Sequence, residues 1–272
     1  NLPFEICSFF ILMFNRSIRI SRSPLLRSRT ILPRTFVTNT HRLSYRLKQR
    51  NPSTIFKQSA MTLITISQSL DEAYTKHKVI PEVVDQFDTQ GLLSIEYGPT
   101  ELVTLGNTLS VEGTQEVPKI QLTLNSPTED GKIESISEND KFILVMTDPD
   151  APSNSDHKWS EYLHWLVTDL KLPHTKNEDG EPEISHFIDV KEGRELVPYM
   201  GPGPPPKNGK HRYVFLLYKQ DPNAGELTAP KGRPKMGLLD YQAVVSKDWV
   251  EKNATNSKLL SVNFFFAQNE DN

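Results

Sequence analysis

The chain has 272 residues, of which 36% are hydrophobic, and its formal net charge at pH 7 is -3. This apolar content is enough for a packed core, which indicates a globular protein and excludes a fully disordered one. The charge is uneven: residues 1–60 contain nine Arg and two Lys against Glu5 alone, so this segment carries +10 and residues 61–272 carry -13. The two parts therefore need separate interpretation.

Residues 1–60 are interpreted as a basic leader, disordered and outside the folded core. From Met13 onward, Arg is spaced among Ser and aliphatic residues, as in mitochondrial presequences. Three alternatives stay open: a transit peptide, upstream sequence translated before a true start at Met61, or a disordered basic arm. Its longest apolar run has about nine residues, short of the roughly 18 that a membrane-spanning helix needs. We therefore expect no transmembrane span, and the acidic body behind the arm argues against a nucleic-acid partner.

Residues 61–272 begin with a helical pattern and continue mainly as strands. Ser69 and Glu72 match a capping box, and apolar residues recur at helical spacing until Pro81. Strand-type segments follow at 92–97, 120–124, 142–146, 162–168, 184–190, 213–218 and 262–267, and a second helix is predicted near 238–254. Gly, Pro, Asn and Asp clusters separate the strands. We predict one mainly β domain, an antiparallel two-sheet β-sandwich with a few peripheral helices.

Polar side chains lie beside or within the most apolar strands. Asp148 and Asp150 directly follow the continuous apolar run 142–146, and His164 lies inside the strand at 162–168. His211 and Tyr213 stand at the head of the run that continues to residue 218. The continuous apolar runs are expected to be central strands. The polar groups beside them would meet only if their strands are neighbours in the sheet.

Strand periodicity predicts which side chains share a face. Two faces are predicted for the strand at 162–168, one with Tyr162, His164 and Leu166, the other with Leu163, Trp165 and Val167. His211 and Tyr213 share a face in the same way, and Arg212 is turned away. A lone histidine in a strand is more often a core residue, so a shared pocket depends on convergence of the segments.

A pocket built from these groups suits a phosphate. Imidazoles near neutrality can donate to an anionic oxygen, and a carboxylate such as Asp148 can fix their tautomer. The tract GPGPPPKNG at 201–209 is not a phosphate loop, because its prolines lack backbone donors. Its carbonyls, with the second acid Asp150, could hold an ammonium. The only cysteine, Cys7, lies in the leader, and hydrolase, zincin and Walker motifs are absent, so we expect no enzyme activity.

Three segments carry a family resemblance: TDPDAP at 147–152, EYLHWLV at 161–167 and GPPPKNGKHRYVFLLY at 203–218. They resemble the phosphatidylethanolamine-binding proteins, and the likeness runs in order from about residue 70 to residue 267. Within this family, the chain is most similar to the fungal carboxypeptidase Y inhibitor branch. The resemblance implies two antiparallel sheets, a small anion pocket, a cis Ala151–Pro152 bond and no bound metal or cofactor. It places these residues at or near the pocket: Asp148, Asp150, His164, Gly203, Pro204, His211 and Tyr213.

The function implied by the resemblance is that of a non-enzymatic regulator. We expect it to inhibit a serine carboxypeptidase through protein contact and to bind a phosphate or anionic phospholipid head group. An alternative is a lipid or phospho-ligand modulator of kinase or small-GTPase pathways, without protease inhibition. A mitochondrial ribosome-associated relative is a further alternative. The expected location is the cytoplasm or the vacuole, and the mitochondrion if residues 1–60 are a genuine presequence.

Overall fold

The computed structural model describes residues 68–125, 136–173, 183–230 and 246–270. The strands in these ranges are β1 (Gly91–Tyr97), β2 (Glu101–Leu102), β3 (Lys119–Leu124), β4 (Phe142–Asp148), β5 (Tyr162–Leu170), β6 (Ser185–Ile188), β7 (Arg194–Val197), β8 (His211–Lys219) and β9 (Lys258–Ala267). The helices are α1 (68–76), α2 (Val79–Glu82) and α3 (Ser246–Asn253). The predicted leader, residues 1–60, and the first part of the predicted second helix, 238–245, lie outside the described residues.

The strands form two antiparallel sheets, which confirms the predicted fold class. One sheet has the order β2-β1-β3-β6 and the other β7-β5-β4-β8-β9. The two continuous apolar runs became β4 and β8, which lie inside the five-stranded sheet as predicted. Sequence patterns missed β2 and β7, because two and four residues are too few to display a period. No helix within the described ranges is long and apolar enough to cross a membrane.

The five-stranded sheet is covered on both faces, which explains its continuous apolar strands. Leu144 and Met146 of β4 pack into a core between the two sheets. Ile143 and Val145 point the other way, into a second core that they share with Trp249 of α3. A strand buried on both faces has no polar side, so the alternation typical of a half-exposed strand disappears.

A β-bulge at His164 interrupts the predicted alternation of β5. Thr147 of β4 pairs with Leu163 and the preceding Met146 pairs with Trp165, so His164 is the extra residue between the two pairs. Leu163 consequently packs into the helix-side core, whereas Trp165 packs between the sheets. The prediction that these two side chains share a face was wrong, because one inserted residue exchanges the faces beyond it.

Arg212 of β8 connects the five-stranded sheet to the first helices through a buried ion network. Its guanidinium donates from Nη2 to Oδ1 of Asp150 at 2.7 Å and from Nε to Oδ2 at 2.9 Å. It also donates to the carbonyls of His77 and Lys78 and to the carboxylate of Glu82. Burial alone would lower the pKa of Arg212, but the bonds and charge of Asp150, followed by those of Glu82, raise it. The prediction that Arg212 faces away from His211 and Tyr213 fits this arrangement.

Asp150→Asn is expected to destabilise the fold strongly. Only 7% of the Arg212 side chain and 6% of the Asp150 side chain are exposed, so the substitution leaves a buried cation without its main counter-charge. Removing one partner of a buried pair costs about 3–5 kcal/mol, which urea unfolding measures directly. The matched control is Asp156→Asn, which breaks an exposed pair with Lys158 and should cost less than about 1 kcal/mol. Equal stability of the two variants would contradict a structural role for the buried pair.

Candidate anion-binding site

Three neighbouring strands bring the predicted polar residues to one end of the five-stranded sheet. β4 ends at Asp148, β5 begins two residues before His164, and β8 begins at His211. Because β4 lies between β5 and β8 and is antiparallel to both, its last residues lie beside the first residues of its two neighbours. The convergence on which the sequence prediction depended is therefore present.

A buried hydrogen bond joins Asp148 to His211. Nδ1 of His211 donates to Oδ2 of Asp148 at 2.8 Å, and Oδ1 of Asp148 accepts the backbone N–H of Asp150 at 2.8 Å. Since a carboxylate only accepts, this contact places a proton on Nδ1 and directs Nε2 away from Asp148. Nε2 is buried and has no hydrogen-bond partner among the described residues. A buried polar atom without a partner in the protein is a position where a ligand is expected.

His164 lies on the same side of the sheet as Tyr213. Nδ1 of His164 donates to the carbonyl oxygen of Met200 at 2.8 Å, so the loop after β7 fixes its ring. The rings of His164 and Tyr213 meet edge to face with centroids 5.1 Å apart, and the ring centroids of Tyr162 and His164 are 5.0 Å apart. The bulge in β5 and the carbonyl of Met200 together set the direction of this imidazole.

Tyr213 supplies a protonated phenol beside His164. Burial raises the pKa of Tyr213 well above its ordinary value of 10, and the charge of Asp148 raises it further. An interaction with the backbone of Gly203 acts in the opposite direction and lowers this pKa. Gly203 itself is exposed, and a side chain at this position would meet no atom within 4 Å, whereas Pro204 is buried. Open space therefore lies directly beyond Gly203.

Asp150 occupies a different position from the one predicted. Its carboxylate oxygens accept three hydrogen bonds from Arg212, one from the backbone and two from the guanidinium. The two acids of the turn therefore serve opposite faces of the sheet: Asp148 contacts His211 and Asp150 contacts Arg212. The suggestion that Asp150 holds a ligand ammonium conflicts with this geometry, because its oxygens already bind a cation.

Two loops are joined beside the site by asparagine side chains. Asn154 donates to the carbonyl of Lys210 at 3.0 Å, and Asn208 donates to the carbonyl of Pro152 at 2.9 Å. The Ala151–Pro152 bond is cis, as the resemblance implied. Sequence reasoning missed both asparagines, because side-chain contacts to backbone carbonyls leave no pattern in the sequence.

The donor set does not form a metal centre. Among the described residues, no group of three or more His, Cys, Asp or Glu side chains has the arrangement of a metal site. One ring nitrogen of His164 and one of His211 are already committed to a carbonyl and a carboxylate. The arrangement offers the phenol O–H of Tyr213 and the buried Nε2 of His211, which donates to an anion when the ring is doubly protonated.

Comparisons with known proteins agree with this geometry. The model of the family described as phosphatidylethanolamine-binding protein matches residues 86–265. The carboxypeptidase Y inhibitor of Saccharomyces cerevisiae is 36% identical over 216 residues, which are 75% of this chain and 97% of that protein. CEN-like protein 4 of Nicotiana tabacum is 32% identical and covers 71% of this chain and 90% of that protein. A crystal structure of carboxypeptidase Y inhibitor complexed with the cognate proteinase matches with a TM-score of 0.61 at 36% identity, over 75% of this chain and 97% of that one.

The matched region extends from just before β1 into β9 and includes all of the predicted site residues. The resemblance first seen in three short segments is thus confirmed over most of the body. The two curated relatives are named as an inhibitor and a plant CEN-like protein, and neither name is that of an enzyme. The chain belongs to the phosphatidylethanolamine-binding protein family.

Proposed function

We propose that this protein inhibits a serine carboxypeptidase of the carboxypeptidase Y type by binding to it. The observation that carries the proposal is the similarity to the yeast inhibitor, which at 36% identity extends over 97% of that protein's length. The similar solved structure is that of such an inhibitor with its cognate proteinase. Similarity over nearly the whole inhibitor supports a shared binding mode better than a match confined to the pocket motifs would.

The site geometry supports a binding role for the protein in place of catalysis. A covalent catalyst needs a nucleophile within hydrogen-bond reach of a base. Nδ1 of His211 donates to Asp148, and no hydroxyl or thiol of the described chain contacts its Nε2. His211 therefore lacks the partner that would make it the base of a nucleophilic pair.

A titration of carboxypeptidase Y with the purified full chain tests the inhibitory function. We expect peptide hydrolysis to fall in a saturable manner at micromolar or lower inhibitor, because protease–inhibitor interfaces of standard size are typically tight. A chymotrypsin-like serine endopeptidase serves as the control enzyme and should keep its activity. Full carboxypeptidase activity at tens of micromolar of folded chain, roughly ten times the expected range, would refute the proposal.

We propose as a second function that the site binds a phosphate group, such as that of a phospholipid head group. The specific observation in favour is the buried Nε2 of His211, which lacks a protein partner within the described residues. Nε2 donates to an anion when the ring is doubly protonated, and Nδ1 then keeps its hydrogen bond to Asp148. The phenol of Tyr213 adds an O–H donor on the same side of the sheet. Charge-assisted hydrogen bonds of this kind contribute about 1.5–3 kcal/mol each.

His211→Gln should weaken phosphate binding about 10- to 150-fold, the equivalent of one charge-assisted hydrogen bond. Isothermal titration calorimetry with inorganic phosphate measures this difference, and urea unfolding verifies that the variant is folded. The matched control is His186→Gln. His186 is equally buried in β6, but its Nδ1 donates to the carbonyl of Pro173, away from the site. Phosphate affinity that is unchanged in the His211 variant would remove this residue from the binding site.

A further inference from the structure

His157 lies in the loop between β4 and β5, just after the turn that contains Asp148. Its place in a polar connection between strands did not mark it as a site residue. Its Nδ1 lies 3.1 Å from the carbonyl oxygen of Pro149, and its Nε2 lies 3.1 Å from the carbonyl oxygen of Asn154. The imidazole therefore bridges two backbone carbonyls of the same loop.

The charge state of the ring determines whether this bridge is complete. A carbonyl oxygen only accepts hydrogen bonds, and a neutral imidazole has one N–H and one lone pair. The neutral ring can thus satisfy Pro149 or Asn154, and it turns a lone pair towards the other oxygen. Only the doubly protonated ring donates to both. His186 provides a contrast, since its contact with the carbonyl of Pro173 needs no more than the neutral ring.

Both ends of the bridge are attached to the anion site. Pro149 directly follows Asp148, whose carboxylate holds His211. Asn154 donates from its side chain to the carbonyl of Lys210, the residue before His211. A change at His157 can therefore shift Asp148 through Pro149 and His211 through Asn154 and Lys210. It needs no contact between His157 and a ligand.

Within the described residues, charged groups lie near His157 on its own loop and on the facing loop. Asp156 and Lys158 adjoin it in the chain and form an exposed pair with each other at 3.4 Å. On the facing loop, the ammonium of Lys210 donates to the hydroxyl of Thr108. In the part of the chain that the structure describes, the ring's hydrogen-bond contacts are the carbonyls of Pro149 and Asn154, and neither changes its charge with pH.

We propose that His157 is a positioning residue for the anion site. Its charged form closes the 149–157 loop and so aligns Asp148 and His211, whereas its neutral form leaves one end of the bridge open. Anion affinity then gains a dependence on a proton that the ligand does not contact. This inference rests on the proposed phosphate-binding function.

The loop can be observed without any ligand through Trp159. This side chain is 39% exposed, whereas Trp165 and Trp249 are 1% and 8% exposed, and its backbone N–H donates to the carbonyl of Ala151 in the same loop. Quenching of tryptophan fluorescence by acrylamide should be roughly twofold weaker at about pH 5.5 than at about pH 8, because the closed loop shields the ring. Trp159→Phe should remove this difference and so assigns the signal.

Two substitutions separate the charge of His157 from its size. His157→Gln loses the charged bridge and should show strong quenching at both pH values. His157→Lys retains a positive donor throughout the range and should show weak quenching at both. Quenching in the wild-type chain that does not change with pH, or a pH response that persists in the Gln variant, would overturn the bridge.

Phosphate calorimetry of the full chain then tests the positioning role. Relative to wild type, His157→Gln should bind inorganic phosphate roughly threefold more weakly at about pH 5.5 and equally well at about pH 8. If His157→Gln and the wild-type chain bind phosphate equally well at both pH values while the Trp159 response is intact, the positioning role is wrong. Failure of the wild-type chain to bind phosphate at all would instead overturn the proposed phosphate site, and the positioning role with it, while the fluorescence result would still identify the bridge.

Discussion

The hydrogen bond between Asp148 and His211 is the contact on which the proposed anion site depends. It connects the end of β4 to the beginning of β8 and leaves Nε2 of His211 buried without a protein partner in the described structure. Two residues further on, Asp150 holds Arg212, the neighbour of His211, on the opposite face of the sheet. The short stretch with two acids in alternate positions therefore fixes two consecutive residues of β8. The Asp148–His211 pair orients the imidazole proposed to bind an anion, and the Asp150–Arg212 pair connects the sheet to the first helices.

The general fold could be predicted from the sequence because the burial of each strand determines its pattern of apolar and polar residues. Continuous apolar runs indicated strands covered on both faces, and β4 and β8 have that position. The convergence of Asp148 with His211 could be expected only through the family resemblance, since periodicity does not reveal which strands are neighbours. The family motifs therefore predicted that Asp148 and His211 meet, whereas periodicity predicted only which residues of one strand share a face.

Other features had no signal in the sequence. The bulge at His164 depends on how β5 pairs with β4, and no residue type marks it. The partner of Asp150 depends on which face of the sheet each acid reaches, and this is a property of the turn. His157 acts through backbone carbonyls, which every residue possesses. In each case the decisive partner is backbone or a distant strand, so local sequence patterns cannot identify it.

The two proposed functions rest on different observations and can be tested independently. The proposal of carboxypeptidase inhibition rests on similarity along nearly the whole of a known inhibitor. Phosphate binding follows from one buried nitrogen and the residues that orient it. The measurement that tests the orientation most directly is nitrogen-15 NMR of the His211 ring during a titration with inorganic phosphate. We expect Nδ1 to stay protonated throughout and the Nε2 signal to shift as phosphate saturates the protein. A neutral ring protonated on Nε2 in the free protein, or an Nε2 signal that does not respond to phosphate, would contradict this account.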